Sequence, residues 1–134
     1  RREFWLLVYQ LLQQGLTLLV STPYLDEAER CHQVGLMDHG RLIACDTPAG
    51  LRRLLPGSLV EVRGPSPELA SPLARRLPEA LEAQVFGDTL HVLVRDIERD
   101  LPRLRAALTA EGFSEAHLRP IAPGLEDVFV TLLR

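Results

Sequence analysis

The stretch that decides the fold class is residues 16–44, LTLLVSTPYLDEAERCHQVGLMDHGRLIA. It opens with a nearly continuous apolar run, 16–21, which is typical of a strand buried on both faces of a parallel α/β sheet. Pro23 interrupts the run, and an acidic-to-basic helix is predicted over 26–32. A buried strand followed directly by a turn and a helix indicates an α/β sheet.

The elements on either side of this strand follow from helical periodicity and turn residues. Apolar residues recur at helical spacing over 2–14, and Gly15 is a suitable C-cap. Strands are predicted over 34–37 and 41–44, joined by a tight turn in which Gly40 supplies the positive φ. The elements predicted for the first part of the chain are therefore, in order, a helix, a strand, a helix and a hairpin.

The character of the sequence changes at Pro56-Gly57, after a short helix predicted from Thr47-Pro48 to Leu54. The order that follows is strand, helix, strand, strand, helix, strand, which is the ferredoxin-like βαββαβ pattern, and then a last helix. We therefore predict an N-terminal module, residues 1–55, and a C-terminal module, residues 56–134. The predicted elements of the C-terminal module cover 58–63, 68–77, 83–86, 89–95, 101–110, 116–121 and 125–133.

Three segments carry a resemblance to a known family: 2–5 (REFW), 17–31 (TLLVSTPYLDEAERC) and 37–44 (MDHGRLIA). In this order and spacing they resemble the C-terminal end of an ABC-transporter ATPase domain. Residues 125–130, LEDVFV, look like the ending of the small domain that follows the ATPase in export-type subunits. The resemblance implies an α/β fold: a C-terminal fragment of a P-loop ATPase sheet followed by a small ferredoxin-like α+β domain.

The resemblance also implies roles for individual residues. In the family a switch-loop histidine follows the buried strand and contacts the γ-phosphate, but here Pro23 stands at that position. Proline has no side-chain donor and no backbone N–H, so it cannot replace the histidine. Ser21, Thr22 and Pro23 are the residues expected near the nucleotide, in a site resembling the degenerate half of a tandem ATPase. Possible interface residues are Tyr24, Asp26, Glu27, Glu126 and Asp127.

The chain lacks the residues that phosphoryl transfer requires. All 15 basic residues are arginine, so no phosphate-loop lysine is present, and the Walker A, Walker B and signature motifs are missing. We therefore predict no catalytic residue, no metal site and no ATP binding or hydrolysis by this chain alone. The absent initial Met suggests an internal piece of a longer protein.

The intact parent is implied to bind ATP and Mg and to couple hydrolysis to export. Its implied partners are a membrane permease subunit and a second ATPase domain. Its implied location is the cytoplasm, peripheral to the inner face of the cell membrane. The net charge of −3 argues against nucleic-acid binding. The alternative function is a non-catalytic ligand-sensing or dimerisation module, since βαββαβ domains often bind small molecules or pair through their sheets.

Other residues have simpler structural interpretations. Trp5 lies in an apolar helix stripe and is expected in the core, and Cys31 and Cys45 are expected as buried, reduced thiols. If 16–20 is a strand without its neighbours, the first half should expose an apolar patch, and the fragment is then expected to self-associate or to be partly unfolded there. All four histidines are expected at the surface: His32, His39, His91 and His117.

Overall fold

The computed structural model describes residues 2–64 and 66–133. From residue 34 onward the helices and strands follow one another in the order that the sequence patterns predict. In the N-terminal module the elements are α1 (Arg2–Gln13), α2 (Leu25–Ala28), β1 (Val34–Asp38), β2 (Arg41–Asp46) and α3 (Pro48–Arg52). In the C-terminal module they are β3 (Ser58–Arg63), α4 (Pro67–Arg76), β4 (Ala80–Phe86), β5 (Thr89–Val94), α5 (Ile97–Ala110), β6 (His117–Ile121) and α6 (Leu125–Leu132).

Helix α1 is amphipathic and buries only one stripe. Trp5 and Val8 are buried, which confirms the core position expected for Trp5. The guanidinium of Arg30 lies 5.6 Å from the centre of the Trp5 ring, a cation–π distance. Gly15 has a φ of +90°, so it ends the helix in the left-handed conformation that a C-cap glycine adopts.

The β1–β2 hairpin and α3 form as local sequence signals predict. His39 and Gly40 have φ values of +50° and +76°, the paired positive angles of a tight hairpin turn. The Thr47 hydroxyl accepts a hydrogen bond from the Gly50 amide at 3.0 Å and so caps α3. Strands β1 and β2 are antiparallel, with a register shift between Leu36 and Met37.

The C-terminal module is built on a four-stranded antiparallel sheet. The strand order is β4-β5-β3-β6, so each βαβ unit is split by a strand from the other unit. Helices α4 and α5 pack on one face of this sheet. The core between the sheet and the two helices includes Val60, Val62, Leu73, Leu90, Val92, Val94, Leu104 and Leu108.

Helix α6 belongs to the C-terminal module in sequence but packs against the N-terminal module. Leu125 and Val128 share a buried cluster with Val34, Leu36 and Leu51. The contacts of α6 are mainly with α2 and α3. The last helix therefore joins the two modules.

The prediction of a strand over 16–21 is wrong. These residues form no strand, and Leu19 is 96% exposed. A strand that is apolar on both faces needs a paired neighbour at each edge, but within residues 2–64 and 66–133 β1 and β2 pair only with each other. The predicted exposed apolar patch is present: Phe4, Leu6, Leu7, Leu16, Leu18 and Leu19 are all exposed.

The predicted helix over 26–32 is also shorter than expected. Only Leu25–Ala28 is helical, and the chain continues as turns and bends to residue 33. Glu29 and Arg30 still make the hydrogen bonds of a final turn, to the carbonyls of Leu25 and Glu27. The pattern therefore located the helix correctly but overestimated its length.

Candidate functional site

The switch segment, residues 21–24, is anchored to α2 through a threonine hydroxyl. Thr22 Oγ1 donates to Glu27 Oε1 at 2.7 Å and accepts from the Tyr24 amide at 3.0 Å. Glu27 is buried, whereas Ser21 and Pro23 are exposed. The Thr22 hydroxyl therefore already uses its hydrogen for a contact inside the protein.

Glu29, just after α2, connects three helices. One of its carboxylate oxygens forms an ion pair with Arg52 of α3. The other accepts a hydrogen bond from the Leu125 amide, at the start of α6, at 3.2 Å. That amide is one of the N–H groups that a helix cannot satisfy internally, so the Glu29 carboxylate supplies a cap from a distant part of the chain.

Asp127 uses its two oxygens for two different contacts. Oδ2 accepts from the Gly124 amide at 2.9 Å, so this side chain caps the last helix. Oδ1 lies 2.7 Å from Nδ1 of His91. An ionised carboxylate only accepts, so the imidazole donates. The side chain of Asp127 is only 9% exposed, and the contact fastens α6 to strand β5.

A polar row crosses the sheet face opposite α4 and α5. Gln84, His91, Glu61 and Arg119 lie directly opposite one another on β4, β5, β3 and β6. Such cross-strand neighbours interact directly. Glu61 Oε1 accepts from Arg63 Nε at 2.8 Å and from Arg119 Nε at 2.9 Å. The hydrogen bond from Arg63 is the main cause that holds the pKa of Glu61 below its ordinary value, and Arg119 acts in the same direction.

We expect Glu61→Gln to lower the free energy of unfolding at pH 7 by about 1–2 kcal/mol. Hydrogen bonds to charged groups contribute about 1.5–3 kcal/mol, and the partly exposed arginines reduce this by solvent screening. Since the folded pKa of Glu61 is lowered, its contribution is complete above the unfolded pKa of about 4.3 and is lost as pH falls through the folded value. Urea denaturation between pH 3 and 7 measures the difference.

The matched control for this prediction is Glu115→Gln, which neutralises an exposed glutamate. It should change stability by less than about 0.5 kcal/mol. An equal loss of stability in Glu61→Gln at pH 7 and at acidic pH would contradict the role assigned to the Glu61 carboxylate.

A cleft of about 560 Å³ lies between the switch segment, β4, β5 and the start of α6. It brings together five of the predicted site residues, and it does not include Ser21, Thr22 or Glu27. Four carboxylates line it, which does not suit a triphosphate. The predicted residues in its lining are Pro23, Tyr24, Asp26, Glu126 and Asp127.

The predicted nucleotide-proximal residues do not form a phosphate site by themselves. Pro23 offers no donor, and the Thr22 hydroxyl is engaged with Glu27. Among the described residues, no group of His, Cys, Asp and Glu side chains could hold a metal ion. ATP and Mg therefore do not fit a site built from these residues alone.

His91 was missed by the sequence analysis. Its predicted surface position is wrong, since its side chain is only 15% exposed and its ring centre lies 4.5 Å from that of Phe86. Its partners are 30 and 36 positions away in the sequence (Glu61 at 4.0 Å and Asp127), so no local pattern could reveal them. The predicted surface positions of His32, His39 and His117 are confirmed.

The cysteine prediction holds only in part. Both thiols are free, but Cys45 is exposed and Cys31 is half-buried, so the expected burial of Cys45 is wrong. Cys45 lies near the end of β2, a strand whose residues are all exposed or half-buried. In the hairpin turn, the hydrogen bond with Asp38 raises the pKa of the exposed His39.

Comparison with known proteins extends over nearly the whole chain. No protein-family model matches it. It is 31% identical, over 99% of its length, to the Probable multidrug ABC transporter ATP-binding protein YbhF of Escherichia coli (strain K12). The chain is a homologue of ABC-transporter ATP-binding proteins. The mixed α/β fold is compatible with the C-terminal part of such an ATPase.

Two further proteins similar to this chain are named for drug resistance or for export. The chain is 34% identical to the Daunorubicin resistance ATP-binding protein DrrA2 of Streptomyces coeruleorubidus, over 98% of its length. It is 36% identical to the Nod factor export ATP-binding protein I of Burkholderia thailandensis, also over 98%. The chain spans 23% of the Escherichia coli protein, 42% of the Streptomyces protein and 41% of the Burkholderia protein.

In residues 2–64 and 66–133, no helix combines the length and apolar character needed to cross a membrane.

Proposed function

We propose that this chain is the C-terminal part of the ATP-binding subunit of an ABC exporter. In the complete protein, that subunit couples ATP hydrolysis to transport through a membrane permease. The observation that carries the proposal is the similarity to ABC-transporter ATP-binding proteins over 98–99% of the chain, which includes both modules. The order of the segments 2–5, 17–31, 37–44 and 125–130 supports the same assignment.

The chain contributes an edge of the nucleotide site rather than the site itself. Ser21, Thr22 and Pro23 border the nucleotide from the switch segment, while the phosphate loop, its lysine and the Mg ligands come from elsewhere in the complete protein. The carboxylates of the cleft would repel a triphosphate, which supports placing the nucleotide outside it. The chain is therefore not competent for ATP hydrolysis alone.

The two modules have different roles in this proposal. Residues 1–55 complete the ATPase domain, and residues 56–134 regulate it or assist dimerisation with a second ATPase domain. Tyr24, Asp26, Glu27, Glu126 and Asp127 lie at or near this interface. The complete protein is cytoplasmic and attached to the inner face of the membrane through the permease, and it binds no nucleic acid.

The exposed apolar patch of the N-terminal module supports this arrangement. Residues such as Leu7 and Leu19 offer apolar surface that the rest of an ATPase domain would cover. Without that cover, the same surface favours self-association of the fragment.

The experiment that tests the proposal is ATP binding by two proteins. One is this chain, and the other is the same chain extended upstream by about 200 residues, the size of one domain. We expect binding only by the extended protein.

A second candidate function is a non-catalytic ligand-sensing or dimerisation module. The 560 Å³ cleft favours it, because Tyr24 and Phe86 supply aromatic walls beside the carboxylates. If neither protein binds ATP, this second function becomes the better-supported one.

A further inference from the structure

The first turn of α6 is held by two carboxylates that come from different directions. From the N-terminal module, Glu29 accepts the Leu125 amide at 3.2 Å and also pairs with Arg52. From within the turn, Asp127 accepts the Gly124 amide at 2.9 Å. Carboxylates at a helix N-terminus satisfy free N–H groups and interact favourably with the helix dipole, so both contacts stabilise this turn.

The same turn is also fastened to the sheet of the C-terminal module. The second oxygen of Asp127 lies 2.7 Å from Nδ1 of His91, which stands beside Glu61 in the polar row. Asp127 is 9% exposed and His91 is 15% exposed, so water competes weakly for this contact. Any displacement of the turn must break it or carry β5 along.

On the other side, the switch segment is tied to α2, and Glu29 directly follows that helix. Thr22 binds Glu27 at 2.7 Å, and Glu27 and Glu29 are separated by one residue. A path therefore runs from Thr22 to His91, in which side-chain hydrogen bonds alternate with short backbone segments at α2 and at the start of α6.

We propose that Glu29 and Asp127 are positioning residues that couple the conformation of the switch segment to the sheet of the C-terminal module. The coupling passes through the first turn of α6. Its meaning for ATP hydrolysis rests on the proposed function, because only that function places a nucleotide beside residues 21–23. The coupling itself requires no nucleotide.

The test is hydrogen exchange of this chain, without nucleotide, in wild type and in Asp127→Ala. We expect amides over 124–128 and also over 22–29 to exchange about three- to tenfold faster, the effect of losing one or two hydrogen bonds. The matched control is Glu126→Ala, which truncates an exposed carboxylate in the same turn and should leave 22–29 unchanged. Faster exchange confined to 124–128 would overturn the proposal.

A conservative variant separates positioning from simple loss of structure. Asp127→Asn keeps an oxygen for the Gly124 amide. Its NH2 group donates to Nδ1 of His91 when the neutral imidazole takes the tautomer protonated at Nε2, so exchange over 22–29 should return close to wild type. If amides over 22–29 exchanged as fast in Asp127→Asn as in Asp127→Ala, the contacts of Asp127 with the Gly124 amide and His91 would not couple the switch segment to the sheet.

The reverse direction is tested with Thr22→Val, which removes the hydroxyl and keeps the shape of the side chain. Coupling between two sites is reciprocal, so exchange over 125–128 should rise by about two- to fivefold. Thr22 is half-buried and belongs to neither buried core cluster, so this variant keeps the test decisive even if Asp127→Ala fails to fold. Unchanged exchange in α6 would count against the coupling, whatever the outcome of the ATP-binding experiment.

Discussion

Leu125→Ala is expected to destabilise the protein by about 2–5 kcal/mol, the range for truncating a buried leucine. Leu125 is 1% exposed and packs in the cluster that joins α6 to β1 and α3. Its removal leaves a cavity between two elements that are far apart in sequence. Urea denaturation followed by circular dichroism measures the loss.

The control for this prediction lies one helix length away. Leu133 is 45% exposed at the end of α6, so Leu133→Ala should change stability by less than about 0.5 kcal/mol. If Leu125→Ala cost no more than Leu133→Ala, α6 would not be the element that joins the two modules.

The second large effect is expected from Pro23→His in the protein extended upstream. An imidazole at this position can donate a hydrogen bond to the γ-phosphate, which proline cannot. Removing one such donor from an active site typically costs about 10²–10³ in rate, so restoring it should raise the rate of ATP hydrolysis by about ten- to a hundredfold. Steady-state ATPase assays give the comparison.

Proline also restricts the backbone, so a second variant is needed. Pro23→Ala relieves the fixed φ without adding a donor and should leave the rate within about twofold of the extended wild type. Equal rates for Pro23→His and Pro23→Ala would mean that position 23 does not face the transferred phosphate.

Local signals in the sequence predicted local structure well. The cap at Thr47 and the turn at Gly40 each depend on residues within a few positions, and both form as expected. The run 16–21 shows the limit, because its apolar character indicates a buried strand only where neighbouring strands pair with it. Within the described residues none does, and Leu19 is exposed.

The candidate site is formed by contacts between residues far apart in the sequence, which local sequence patterns cannot predict. Tyr24 and Asp127 were separate interface predictions 103 positions apart, and the structure places both in one cleft. The pairing of His91 with Asp127 follows from the register of β5 and the docking of α6, which both depend on long-range packing. The sequence over 125–133 predicted the last helix but not the contact of Asp127 with His91.

The most direct measurement is isothermal calorimetry of ATP with this chain and with the chain extended upstream by about 200 residues. We predict heat of binding for the extended protein and none for the chain alone, because the chain has no lysine and no phosphate loop. ATP binding by the short chain would contradict the assignment of residues 21–23 as only an edge of the nucleotide site. Absence of binding by both would contradict the proposal that this is part of an ATP-binding subunit.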